Sequence, residues 1–219
     1  MAMPSAAVRQ GLQIETISLG WMVVEGAIGI GAGIAAHALA LQAFGLDSVI
    51  ELVSGGILYW RLQVEIRGAA PSRVAAAEHR ASGVVGWALL ALAAYVVVMA
   101  AIALATHGGA RPSAVGLGLA AAAALLMPWL AHRKQVLGAQ IGSAALAADG
   151  ACSMVCAYMA WTVLIGLGLT MLLGWWWLNP VAGLALVYFI VQEGREAIHE
   201  ARETPIGAGD GTGSQEGSE

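Results

Sequence analysis

The chain has 219 residues, 59% of them hydrophobic and only 11% charged, with a formal net charge of −4. A soluble domain carries roughly a quarter charged residues, so a single globular core is excluded and lipid must solvate much of the surface. No basic surplus points to nucleic acid, and the two cysteines, Cys152 and Cys156, both fall in an apolar stretch, which argues against a disulfide framework. Residues 1–15 read as a cytoplasmic N-terminal segment that stays in the mature protein, because the first apolar run carries Glu25 in its middle and a second follows at once. The first span is expected at 16–37, where Gly29 and Gly33 form a GxxxG spacing that lets another backbone approach closely. The second is expected at 39–60, the third at 82–105 and the fourth at 114–131. The last apolar stretch, 136–191, is too long for one helix. Gly174, the tryptophans 175–177 and Asn179-Pro180 divide it into spans five and six, since tryptophan favours the headgroup level and proline suits a first helical turn.

The expected fold is therefore an all-α membrane protein, with six transmembrane helices in 16–200 and no folded soluble domain. Residues 201–219, rich in glycine and acid, read as a disordered cytoplasmic tail. Basic residues set the orientation. Arg9, Arg61, Arg67, Arg73, Arg80, Arg133, Lys134, Arg195 and Arg202 all fall on one side of a six-span map, and only Arg111 falls on the other. The positive-inside rule makes that side cytoplasmic and places both termini there. The expected location is a bacterial inner (plasma) membrane.

An ionisable group in a span costs a few kcal/mol on insertion scales, so each one needs a reason. Glu25 lies in span one, Asp47 and Glu51 in span two, and Asp149 in span five. Asp47 and Glu51 are four residues apart, as are Cys152 and Cys156. On a helix that spacing gives about 6 Å of rise and about 40° of rotation, so each pair shares a face. A lone cysteine in a membrane helix is by default a small packing residue; a carboxylate there is a functional candidate by default. If the two faces meet, two carboxylates and two sulfurs converge on a tetrahedral site that suits zinc or cadmium better than magnesium or calcium. Asp149 and Glu25 are candidates for a supporting partner or a proton carrier. The histidines His37, His79, His107, His132 and His199 all sit near span ends and read as solvated rather than ligating.

These residues resemble a known family. Span two with its lead-in, ALALQAFGLDSVIELVSG, is similar to the second-helix signature of the cation diffusion facilitators, with Asp47 and Glu51 on the two ligand positions. Span five, SAALAADGACSMVCAY, resembles the fifth-helix repeat, in which an Ala-Asp pair precedes His-x-x-x-Asp. Cys152 and Cys156 take the histidine and aspartate positions, and Asp149 the preceding acid. Glu25 with its glycines, and Asn179-Pro180 where the family has Asp-Pro, are similar as well. The resemblance runs in order through to about residue 200. It implies a six-helix homodimeric exporter of divalent metal in exchange for protons. A cytoplasmic domain usually follows the last span in that family. Here a short tail follows, so a dimer is expected to rest on membrane helices, with Gly29/Gly33 and Gly138/Gly142 as its closest-approach pairs.

The expected function is proton-coupled efflux of a divalent transition metal, zinc first and cadmium next. The alternatives are a non-transporting, metal-binding regulatory membrane protein and a proton-coupled carrier of organic cations, which would not need the thiols. An enzyme is not expected, because no catalytic triad spacing or phosphate loop appears and GIGAG at 29–33 lies inside a span. Coupling to protons follows from charge. Four ionised ligands around a divalent ion leave two charges uncompensated, and thiolate rather than thiol is the ligand, so metal binding must expel protons.

Overall fold

A computed structural model describes residues 6–66, 71–107, 111, 113–141 and 144–200. Six helices follow one another: α1 (Ala6–Ala35), α2 (Leu39–Ile66), α3 (Pro71–Thr106), α4 (Ala114–Ile141), α5 (Ala144–Leu173) and α6 (Leu178–Glu200). No strand occurs among the described residues. The expected spans fall on the helices in order, the first running two residues past the end of α1, and several helices run well past their apolar stretch. Polar residues such as Gln10, Gln13, Arg133 and Gln135 are good helix formers, and the helices continue through them. One consequence corrects the expected end of the fourth span at 131: Arg133 and Lys134 do not lie between helices but inside α4. The expected tail, 201–219, and Gly142 lie outside the described residues.

Five helices are long and apolar enough to cross a membrane: Arg9–Ala35, Leu39–Trp60, Gly83–Thr106, Ala114–Gln140 and Asp149–Leu173. α6 falls short of that measure because its second half carries Gln192, Glu193, Arg195 and Glu196. Leu125 and Leu172 are 80% and 81% exposed, and Val84, Val115 and Ile165 also point outward, the surface a bilayer solvates. The chain is thus a multi-pass α-helical membrane protein.

The turn from α1 to α2 is tight. His37 takes a left-handed conformation (φ 53°). Ala38 N–H then donates to Gly33 O at 2.9 Å, and His37 N–H to Ile34 O at 3.1 Å, closing the helix end. His107 ends α3 in the same conformation (φ 54°) and packs its ring on Trp176. Immediately beyond the first turn, α1 and α2 touch backbone to backbone. A Cβ at Gly45 would sit 2.6 Å from Ile30 N, one at Gly29 2.9 Å from Gly45 Cα, and one at Gly33 2.8 Å from Gln42 N. Gly138 of α4 meets Ala147 N of α5 in the same way, at 2.7 Å. Of the glycines expected to hold two chains together, Gly29, Gly33 and Gly138 are therefore filled from within one chain.

α4 contains Pro128, which has no N–H to give the carbonyl of Ala124 one turn earlier. The indole of Trp161 on α5 donates to that carbonyl at 2.9 Å. The acceptor that proline leaves open is satisfied by the neighbouring helix, as a bilayer interior demands.

Candidate metal centre

α2 and α5 bring Asp47, Glu51 and Cys156 together. One ligand atom from each lies within 4.8 Å of the other two. Asp47 and Cys156 are fully buried and Glu51 is half-buried. The Cys156 thiol lies 2.6 Å from Glu51 Oε2, to which it donates. Both oxygens of Asp47 and Oε1 of Glu51 are shielded from solvent and have no hydrogen-bond partner. Polar groups in that condition are costly to bury unless something else satisfies them.

Glu25 reaches the cluster from α1. It is fully buried, with the indole of Trp21 beside its carboxylate, and it lies within electrostatic reach of Asp47. The close approach of α1 and α2 puts it there; a Cβ at Gly26, the next residue, would come within 2.9 Å of Val49 on α2. Among the described residues no basic side chain is paired with Glu25, Asp47 or Glu51.

Cys152 does not join the three. It is exposed, and it lines a cavity of about 110 Å³ beside the cluster. The reason is directional. α2 and α5 run opposite ways, so the turn from Cys156 back to Cys152 leads along the membrane normal past Glu51 and away from Asp47. Shared facing, which the four-residue spacing secures, is not shared depth.

Asp149 has a different partner. Lys134 of α4, fully buried, ion-pairs with Asp149, and its Nζ lies 3.2 Å from Oε2 of Glu15, which is fully buried on α1. Gly55 on α2 makes room for this group, since a Cβ there would come within 3.0 Å of Glu15 Oε1. Sequence reasoning missed both partners of Asp149. Lys134 was counted as a loop cation and Glu15 as the last residue of a terminal segment. The apolar run resuming at Val136 was the available signal, because it lets α4 carry Lys134 inward.

Glu193 of α6 was missed as well. It lines the same cavity as Glu51, Asp149, Cys152 and Glu196, and its Oε1 is shielded and without a hydrogen-bond partner. A signal existed: the apolar run from Leu178 to Val191 spans only about 21 Å at 1.5 Å per residue, against a hydrocarbon core of about 30 Å. A helix that crosses must take Glu193 in with it. His37 and His107 end helices, as their positions suggested, and His132 and His199 are exposed. The side chain of His79 lies outside the described ones.

No protein-family model matches the chain. Over 208 residues it is 25% identical to a protein of Synechocystis sp. (strain ATCC 27184 / PCC 6803 / Kazusa) named as an uncharacterized transporter. The match takes in 91% of this chain and 63% of that one, so the chain spans less than two thirds of its relative's length.

The arrangement is chemically specific. Two carboxylates and a thiol converge, with a third carboxylate behind them and, among the described residues, no cation paired with any of them. These three residues could hold a metal ion, and by donor type the sulfur would suit a borderline or soft ion better than magnesium or calcium.

Proposed function

We propose that the chain is a carrier of the cation diffusion facilitator type, which moves a divalent transition metal, zinc first, out of the cytoplasm in exchange for protons. The observation that carries the reading is the convergence of Asp47, Glu51 and Cys156 from two membrane helices. The likeness to a protein named as a transporter adds support. In this reading α6 is the sixth span, both ends of the chain are cytoplasmic, and the working unit is a homodimer that packs through surfaces other than Gly29, Gly33 and Gly138. Zinc or cadmium is the cargo rather than a resident cofactor.

Asp47, Glu51 and Cys156 supply three donors, and water or a further side chain completes the tetrahedron. The three carry three negative charges when ionised, so a divalent ion leaves one uncompensated. The empty cluster holds protons that the arriving metal displaces, and protons entering from the other side displace the metal in turn. The test is zinc flux in proteoliposomes with an imposed pH gradient. Wild-type protein should move zinc or cadmium, and Asp47→Ala and Cys156→Ala should not. Metal binding without flux in the wild type would overturn the carrier reading in favour of a regulatory metal-binding protein. Flux of organic cations without metal binding would overturn it in favour of the other alternative.

A further inference from the structure

The cavity beside the cluster is lined by Glu51 and Ser54 of α2 but not Asp47, and by Asp149, Cys152 and Ser153 of α5 but not Cys156. It therefore begins one helical turn away from the convergent cluster and shares Glu51 with it. α6 closes it with Glu193 and Glu196; among the described residues no lysine, arginine or histidine lines it, and Lys134 reaches its edge only through the ion pair with Asp149. Two of its carboxylate oxygens, Oε1 of Glu51 and Oε1 of Glu193, are shielded from solvent and have no hydrogen-bond partner. They are not bonded to each other, as a proton shared between two carboxylates would require. The volume of about 110 Å³ leaves room for an ion with a few waters, each of which takes about 30 Å³ in the liquid.

We infer that this cavity is a second binding position for the same divalent ion, with Glu51 and Glu193 as carboxylate ligands and Cys152 as the sulfur donor. This rests on the metal-carrier reading of the neighbouring cluster. The two positions have matched donor sets: Glu193 and Cys152 in the cavity, Asp47 and Cys156 in the cluster, with Glu51 common to both. An ion passing from one to the other exchanges one carboxylate and one thiolate for another pair of the same kind while Glu51 holds on. The charge around it stays constant along that step, which keeps the transfer from crossing a large electrostatic barrier in lipid. The geometry also accounts for the paired four-residue spacings on α2 and α5, of which only one member of the second pair joins the cluster.

Cadmium titration of the full chain in lipid nanodiscs tests this, with calorimetry giving ions bound per chain and thiolate-to-cadmium absorbance reporting sulfur ligation. The wild type should bind two ions, both with the absorbance. Glu193→Gln should lose one and keep one with its absorbance intact, and Glu193→Asp, which retains the carboxylate, should recover the second. Cys152→Ser should weaken the second ion and remove its absorbance alone. If Glu193→Gln and Cys152→Ser both titrate as the wild type does, the cavity site is overturned and the cluster reading stands. If the wild type binds no cadmium at all, both are overturned.

Discussion

Two groups of buried acids lie in this bundle, and they are balanced in opposite ways. Around Lys134, Glu15 from α1 and Asp149 from α5 converge on a cation that belongs to the chain. Around Asp47, the acids Glu25 and Glu51 and the thiol of Cys156 gather with no such cation among the described residues, and most of their oxygens have no hydrogen-bond partner. Burying a charge is tolerable when a counter-charge comes with it and costly when it does not. The first group carries a counter-charge of its own and ties α1, α4 and α5 together. The second has no such counter-charge among the described residues, and in the proposed function it is the place where the transported ion binds.

The largest difference should come from removing the internal cation. Lys134→Met strands two buried carboxylates and should cost about 3–5 kcal/mol of stability, read as a large drop in thermal midpoint and in monodisperse yield from detergent. Asp47→Asn, at the other group, should leave the midpoint unchanged or raise it while removing metal flux. A Lys134→Met protein as stable as the wild type would erase the distinction between the groups.

Next in size is the contrast between the two cysteines. Cys156→Ala removes a cluster ligand and should abolish zinc uptake into proteoliposomes, whereas Cys152→Ala should leave a reduced but measurable rate. Equal loss in both would restore the four-ligand site expected from sequence.

A smaller effect should come with pH. Protons compete with metal for the carboxylates and thiols of the unbalanced group, so zinc affinity should fall as pH drops from about 8 to about 6. The Lys134 group, already internally paired, should contribute little to that slope. Calorimetry in buffers of differing ionisation enthalpy counts the protons released, and an unchanged affinity across the range would separate the cluster from proton coupling. Smallest of all, Trp161→Phe removes one hydrogen bond and should cost about 1 kcal/mol, detectable as a slight shift in midpoint with metal binding retained.

Much of this was legible in the chain itself. Helix number and order followed from apolar run length and from Gly174 and Asn179-Pro180, and the convergence of Asp47, Glu51 and Cys156 was expected from spacing and resemblance. Depth was not legible. A four-residue step preserves facing but moves about 6 Å along the axis, so nothing local could say that Cys156 meets Glu51 while Cys152 lies a turn beyond. The polar ends of helices were misread for a related reason. Hydropathy marks where a run of apolar residues stops, not where the helix does, and Glu15, Lys134 and Glu193 all lie past that mark. Each is paired or enclosed by a residue from a different helix, a relation that no window along one chain contains.

Pro128 has a mechanical consequence. A helix in lipid turns about its own axis at little cost while its outward face stays apolar, and α5 is apolar over most of its circumference. The bond from Trp161 to the carbonyl opposite Pro128 takes that freedom away. Rotation by one residue, about 100°, would strand an acceptor where no water can replace the donor. Cys156, little more than a turn from Trp161, is thereby held at a fixed azimuth towards α2. In the proposed function, a motion that opens the cluster first to one side of the membrane and then to the other is therefore expected to carry α4 and α5 together, rocking as a pair rather than swivelling as separate rods.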